Sequence, residues 1–147
     1  MVNFKIRNAT QDDYEAVYII KKDALQSYVE NKWGWNEELQ RNYHEKHFEP
    51  NNLKIIEAEN KPIGSLKFIK AKDHIFLSEL FIIQKYQSKR IGSRIINDYI
   101  KNANAEKKAV KLQVLRINER AVKLYKKLGF ESYEEDNVYF KMIYRHK

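Results

Sequence analysis

The stretch Leu77 to Ser93, LSELFIIQKYQSKRIGS, joins an apolar run to a polar turn and then to a helical stripe. Leu77, Leu80, Phe81, Ile82 and Ile83 form a nearly continuous apolar run, as expected of a strand covered on both faces. After the turn, Ile91, Ile95, Ile96, Tyr99 and Ile100 keep the spacing of one helix face. A strand that turns directly into a helix N-terminus presents unpaired backbone N–H groups and the positive end of a helix dipole. That arrangement suits a phosphate or pyrophosphate. Glu79 is the only acid inside the strand. A carboxylate there either lines a cleft, where it can act as a base through water or bind an acceptor, or faces solvent. The histidines carry less: His44 and His47 stand three apart with no third ligand in sight, so no metal site is expected.

The second stretch is VLRINERAVKLYKKLGF, Val114 to Phe130. Asn118 is suited to cap a helix, and Glu119 complements its dipole. Ala121, Leu124, Tyr125 and Leu128 repeat at three and four residues. Gly129 can take the left-handed position after the helix, which lets Phe130 fold back on Leu124 or Tyr125.

The remaining elements must hold these two stretches. Phe4 to Arg7 reads as a first strand. Thr10 and Asp13 form a capping box that opens a helix from about Asp12 to about Glu30. Asn31 to Asn36 breaks it, with Gly34 as the stop, and a second helix runs from about Asn36 to about Phe48. Leu53–Glu59 and Pro62–Lys70 read as a hairpin around Asn60-Lys61, and Asp73-His74 as the next turn. The stripe after the polar turn gives a helix from about Arg90 to about Glu106, followed by a strand from Ala109 to Leu115. Two more strands lie on either side of Glu135 to Asn137, the second with a period of two.

Composition bounds the class. The chain has 147 residues, 43% hydrophobic and 33% charged, which suits one folded, water-soluble domain over 1–147. With no cysteine, disulfides and cysteine nucleophiles are excluded. No apolar run reaches the length of a membrane span, and the N-terminus lacks a signal-peptide core, so a cytoplasmic protein without membrane partners is expected. The net charge of +8 is uneven. Lys85 to Lys127 holds 13 basic and 3 acidic residues, while the rest holds 15 and 17. The positive charge therefore falls on the segment with the anion-binding turn. A nucleic acid would meet the same charge, but the aromatic residues do not interleave with the lysines as stacking platforms would, so none is expected.

Gln87-Ser88-Lys89-Arg90-Ile91-Gly92-Ser93 resembles the acetyl-coenzyme A loop of the GNAT acetyltransferases, Gln/Arg-x-x-Gly-x-Gly/Ala. Arg90 stands where that pattern has its first glycine. The second stretch matches the family's Asn-x-x-Ala-x-x-x-Tyr-x-x-x-Gly-Phe at Asn118, Ala121, Tyr125, Gly129 and Phe130. The resemblance implies an α/β fold of the mixed α+β kind. Its central sheet would be mostly antiparallel, with about six to seven strands and about four helices on both faces. It also implies an N-acetyltransferase that moves the acetyl group of acetyl-coenzyme A to a primary amine of a small molecule or peptide, by direct attack.

Site residues follow from the same resemblance. The pantetheine arm would pair with backbone groups of Phe81, Ile82 and Ile83. The pyrophosphate would lie on amides of Gln87, Ser88, Lys89, Arg90, Ile91, Gly92 and Ser93, with Asn118, Ala121 and Tyr125 also at the cofactor. Tyr125 matches the position that protonates the coenzyme A sulfur, and its ordinary pKa near ~10 lies above that of a thiol, ~8.5, which fits a proton donor. Glu79 is the candidate base. Arg90 would still donate its amide if its dihedrals were helical, and its guanidinium would add a phosphate donor. Trp33 and Trp35 either pack their loop on the core or wall a cationic acceptor. The alternatives are a coenzyme A-binding module without catalysis and, behind it, a basic nucleic-acid-binding domain. A homodimer is compatible with the sequence but not required by it.

Overall fold

The structure, a computed structural model, describes residues 2–147. Its strands are β1 (Lys5–Asn8), β2 (Leu53–Ala58), β3 (Lys61–Lys70), β4 (His74–Ile82), β5 (Ala109–Leu115), β6 (Glu131–Glu135) and β7 (Tyr139–Tyr144). Its helices are α1 (Tyr14–Trp33), α2 (Glu37–His47), α3 (Ile91–Ala105) and α4 (Glu119–Lys127). The strands hydrogen-bond in the order β1-β2-β3-β4-β5-β7-β6. β4 and β5 run parallel, whereas β1–β2, β5–β7 and β6–β7 run antiparallel, so the sheet is mixed as expected. The chain divides into two compact units: residues up to 66 with 81–89, and residues 67–80 with 90–147.

In the first unit, the capping box forms as read. The Thr10 amide donates to the Asp13 carboxylate at 2.8 Å, and Arg7 of β1 grips the same carboxylate through two nitrogens at 2.8 and 2.9 Å. The guanidinium holds the largely buried Asp13 below the usual carboxylate range. A short 3-10 turn at Gln11–Asp13 precedes α1, so the helix proper starts two residues later than the pattern suggests. It also runs on to Trp33, because the stop comes only at Gly34, whose φ of 75° suits glycine. Asn36 caps α2 by accepting from the Leu39 amide at 3.0 Å. The hairpin turn falls at Glu59-Asn60, one residue before the expected pair. Their φ angles of 53° and 62° give the doubly left-handed turn that matches strand twist. Val17, Leu53 and Ile55 form a buried cluster, flanked by Ala9 and Phe48.

In the second unit, α3 packs on β5 and buries Ile91, Ile95, Ile96, Ile100 and Ala103. Tyr99, on the same stripe, is only half-buried and stacks on Phe68, ring centres 3.4 Å apart. Val110, Leu112 and Met142 are fully buried. α4 ends as its sequence requires. The Phe130 amide returns to the Tyr125 carbonyl at 3.0 Å and the Gly129 amide to Lys126 at 3.1 Å, with Gly129 at φ 102°. The Phe130 ring lies edge-on to Tyr125, centres 5.8 Å apart. β6 is exposed along its whole length, carries Glu131, Glu134 and Glu135, and has an irregularity between Ser132 and Glu134. Lys141 and Arg145 pair with its carboxylates at 2.9 and 3.6 Å.

β4 departs from the reading in two respects. It begins at His74 rather than after a turn there, because residues 74–77 are drawn into the ladder with Ala109–Leu112. And the run is not covered on both faces: Leu77 is buried, but Leu80, Phe81, Ile82 and Ile83 are only half-buried.

Candidate active site

The β4–β5 ladder runs from His74↔Ala109 to Leu77↔Leu112 and stops there. β4 continues to Ile82, while β5 continues to Leu115 paired with β7 on its other side. Within the second unit, Ser78, Glu79 and Leu80 therefore part from Gln113, Val114 and Leu115. A gap between parallel strands at their carboxyl ends is where α/β sheets take ligands. Glu79 sits on this open stretch and is half-buried. α4 starts shortly after β5, and α3 is the next long helix after β4.

The two helix N-termini differ. Asn118 accepts the Ala121 amide at 3.2 Å, so its carboxamide oxygen is spent on the cap, as read. α3 has no such side chain. Its N-cap is Arg90, whose side chain makes no cap hydrogen bond. Ile91, Gly92 and Ser93 head this turn, with Ile91 and Gly92 buried. Arg90 corrects the expectation of helical dihedrals: it sits at φ 66°, ψ 14°, in the left-handed region. Ser88 is there too, at φ 61°. The position where the resembling pattern has glycine is thus one where glycine would cost nothing, and arginine adopts its conformation at some strain. Lys89 and Arg90 are exposed, so the turn carries two cations into solvent.

Tyr125 lies inside α4 with 4% of its surface exposed. Burial pushes its phenol above the usual tyrosine range, so it stays protonated at neutral pH. Ala121, one turn earlier, is half-buried.

In the first unit, Phe81, Ile82 and Ile83 have some backbone groups already engaged. The Ile83 amide donates to the Ile63 carbonyl at 2.9 Å, and the Gln87 side chain donates to the Ile82 carbonyl at 2.8 Å. Gln84 is tied to Asp23 through its amide at 2.6 Å and its side chain at 2.9 Å. Trp33 does not pack its loop on the core: it is 51% exposed, with the Lys32 ammonium 5.5 Å above its ring. Trp35 is half-buried and donates its indole N–H to Glu37 at 2.8 Å. Lys22 reaches the same Glu37 oxygen at 2.8 Å. Lys22 first, and then Trp35, pull the Glu37 carboxyl down to about 2. The sequence reading passed over Lys22, Glu37 and Tyr18. The signal was present: Tyr18 and Lys22 stand four apart on α1, and Glu37 follows the second tryptophan by two. His44 is a packing residue, buried between the Tyr14, Tyr18 and Phe48 rings, with Nε2 2.7 Å from the Tyr14 carbonyl.

The model of the acetyltransferase (GNAT) family matches residues 8–130, and the chain belongs to this family. An uncharacterized N-acetyltransferase of Methanocaldococcus jannaschii is 26% identical over 156 residues, spanning 97% of this chain and 67% of that protein. The fold is shared with the PaiA N-acetyltransferase of Thermoplasma acidophilum, solved in complex with coenzyme A. There the TM-score is 0.80 at 17% identity, over 98% of this chain and 99% of that one. It is also shared with Naa50 of Arabidopsis thaliana in complex with the bisubstrate analogue CoA-Ac-MVNAL, at TM-score 0.65 and 16% identity, over 97% and 99%. Acetyl-coenzyme A is the cofactor that this family uses. Among the described residues, no helix is long and apolar enough to cross a membrane.

Proposed function

We propose that residues 1–147 act as one acetyl-coenzyme A-dependent N-acetyltransferase, whose acceptor is a primary amine of a small molecule or peptide. The observation that carries this is the end of the β4–β5 ladder at Leu77↔Leu112, with an uncapped helix N-terminus and a buried, protonated tyrosine in the same unit. When bound, acetyl-coenzyme A supplies the acetyl group as a thioester. The fit is favourable: the head of α3, which Arg90 does not cap with its side chain, suits the pyrophosphate, and the positive charge of the segment suits a polyanion.

The chain's own groups then have these roles. The first-turn amides of Ile91, Gly92 and Ser93 hold phosphate oxygens, and the Arg90 guanidinium adds a donor. Gln87, Ser88 and Lys89 are assigned to the same phosphates, and Phe81, Ile82 and Ile83 to the pantetheine arm, on the resemblance. Ile82 O and Ile83 N are spoken for, so other backbone groups of these residues serve. Asn118 and Ala121 set the start of α4. The Tyr125 phenol holds a proton for the departing sulfur. Glu79 takes the proton of the attacking amine through water.

Calorimetric titration with acetyl-coenzyme A tests the reading, and no binding up to millimolar concentration overturns it. Binding without thiol release across a panel of amines would leave a coenzyme A-binding module. Tyr125→Phe is expected to lower turnover by roughly 10²-fold or more, as for loss of a general acid, with little change in cofactor affinity. Equal turnover would remove Tyr125 from the reaction.

A further inference from the structure

In the first unit, two acids hold the turn that leads into Gln87, Ser88 and Lys89. It is a 3-10 turn over Gln84–Tyr86, and its N-cap, Ile83, makes no side-chain cap bond. Asp23 of α1 takes that place. Its carboxylate accepts the Gln84 amide at 2.6 Å, and its carbonyl accepts the Gln84 side chain at 2.9 Å. On the other side, the Tyr86 hydroxyl donates to Glu59, in the β2–β3 turn, at 2.6 Å. This bond first, and then burial, hold the phenol above the usual tyrosine range. Within the turn, the Tyr86 and Gln87 amides return to the Ile83 and Gln84 carbonyls at 2.9 and 3.1 Å. Gln87 Nε2 donates to the Ile82 carbonyl at 2.8 Å.

Core packing does not account for this bracing. Gln84, Lys85, Ser88 and Lys89 are exposed, and of residues 84–89 only Tyr86 is buried. An exposed connection anchored by one ring ordinarily belongs to the more mobile part of a fold. Here charge-assisted hydrogen bonds, roughly twice as strong as neutral ones, fix it from both sides. The two acids stand far off in the chain, 61 residues from Gln84 and 27 from Tyr86, so the bracing comes from the fold and not from local propensity. The chain then leaves the turn through Ser88 at φ 61°, a conformation that a residue with a side chain keeps only where its surroundings impose it.

We propose that Asp23, and Glu59 through Tyr86, are positioning residues for the cofactor: they fix the turn in advance, so that Gln87, Ser88 and Lys89 need little ordering when phosphate arrives. This role rests on the transferase reading, which assigns those three residues to phosphate oxygens. Each acid acts through the backbone it fixes, and the ordering cost it removes appears as affinity. A plain charge effect has the opposite sign, since losing an anion near a phosphate would tighten binding.

Two measurements test this on wild type, Asp23→Ala, Asp23→Asn and Tyr86→Phe: calorimetric titration with coenzyme A, and amide hydrogen exchange of the ligand-free protein. Both are made well below the thermal midpoints, where a merely destabilising substitution leaves affinity unchanged. Tyr86→Phe keeps the buried ring and removes only the hydroxyl. Binding is expected to weaken roughly tenfold in Asp23→Ala and about threefold in Tyr86→Phe, with faster exchange at Gln87, Ser88 and Lys89 in both. Asp23→Asn still offers an oxygen to the Gln84 amide and is expected to stay within about threefold of wild type. Wild-type affinity in both Asp23→Ala and Tyr86→Phe, tighter binding in either, or wild-type exchange at the three amides overturns the proposal. So does an Asp23→Asn variant as weak as Asp23→Ala. Should Asp23→Ala not fold, Tyr86→Phe decides by the same two readings. Failure here leaves coenzyme A binding by the wild type intact. If the wild type binds no coenzyme A, the transferase reading falls, and the exchange rates still report whether the two acids hold the turn.

Discussion

Arg90 is where the chain keeps a conformation but not the residue that holds it at no cost. A left-handed φ of 66° in a residue with a side chain costs on the order of 1 kcal/mol. Glycine would relieve this, though it gives part of the gain back as chain entropy in the unfolded state. Arg90→Gly is therefore expected to raise the thermal midpoint slightly while weakening coenzyme A binding, read by thermal denaturation and calorimetry on the same preparation. A lower midpoint would show that the arginine side chain stabilises the free protein. Asp13 makes the opposite case, a residue fully matched to its neighbours. Asp13→Asn removes a charge-assisted pair with Arg7 and is expected to cost about 2 kcal/mol. The pH dependence has a definite sign. The folded-state pKa of Asp13 is depressed, so its contribution is complete above the unfolded value near ~4 and is lost as pH falls through the folded one. Urea midpoints of wild type and variant should converge only below about pH 4.

At the level of elements, Gly64 fixes how close β3 can come to its neighbour. A Cβ at that position would meet the Phe81 carbonyl oxygen at 2.6 Å and the Ile56 side chain at 3.0 Å. Gly64→Ala must push backbone aside, and a loss of about 2–3 kcal/mol is expected from equilibrium denaturation. The elements themselves were largely legible. Asn36, Asn118 and the Gly129-Phe130 stop place two helices within a residue or so, because caps are local chemistry. The misplaced limits have local causes as well. Nothing in Asn31-Lys32-Trp33 ends a helix until glycine arrives, and Glu59-Asn60 turns without glycine. The end of the β4–β5 ladder was legible only through resemblance, since pairing between strands some 35 residues apart leaves no periodic trace in either. The contact of Lys22 with Glu37 was hidden for the same reason: α1 and α2 bring the two together only across a loop.

For the molecule as a whole, charge is the property the sequence reported most directly. The segment Lys85 to Lys127 carries a net +10 and the rest −2. If that excess captures a polyanionic cofactor, acetyl-coenzyme A affinity should fall several-fold as salt rises from about 0.05 to 0.3 M, as exposed charges are screened. Calorimetry across that range checks it, and a salt-independent affinity would assign the basic segment another purpose. The last feature to weigh is the outer strand β6, solvent-exposed throughout, lined with glutamates and out of step with its neighbour at Tyr133. An incoming strand would meet a dense row of charged side chains, Glu131 and Glu134 with their partners Arg145 and Lys141, and a break in register. Both features disfavour the addition of a further strand along that rim, and with it fibril-like stacking.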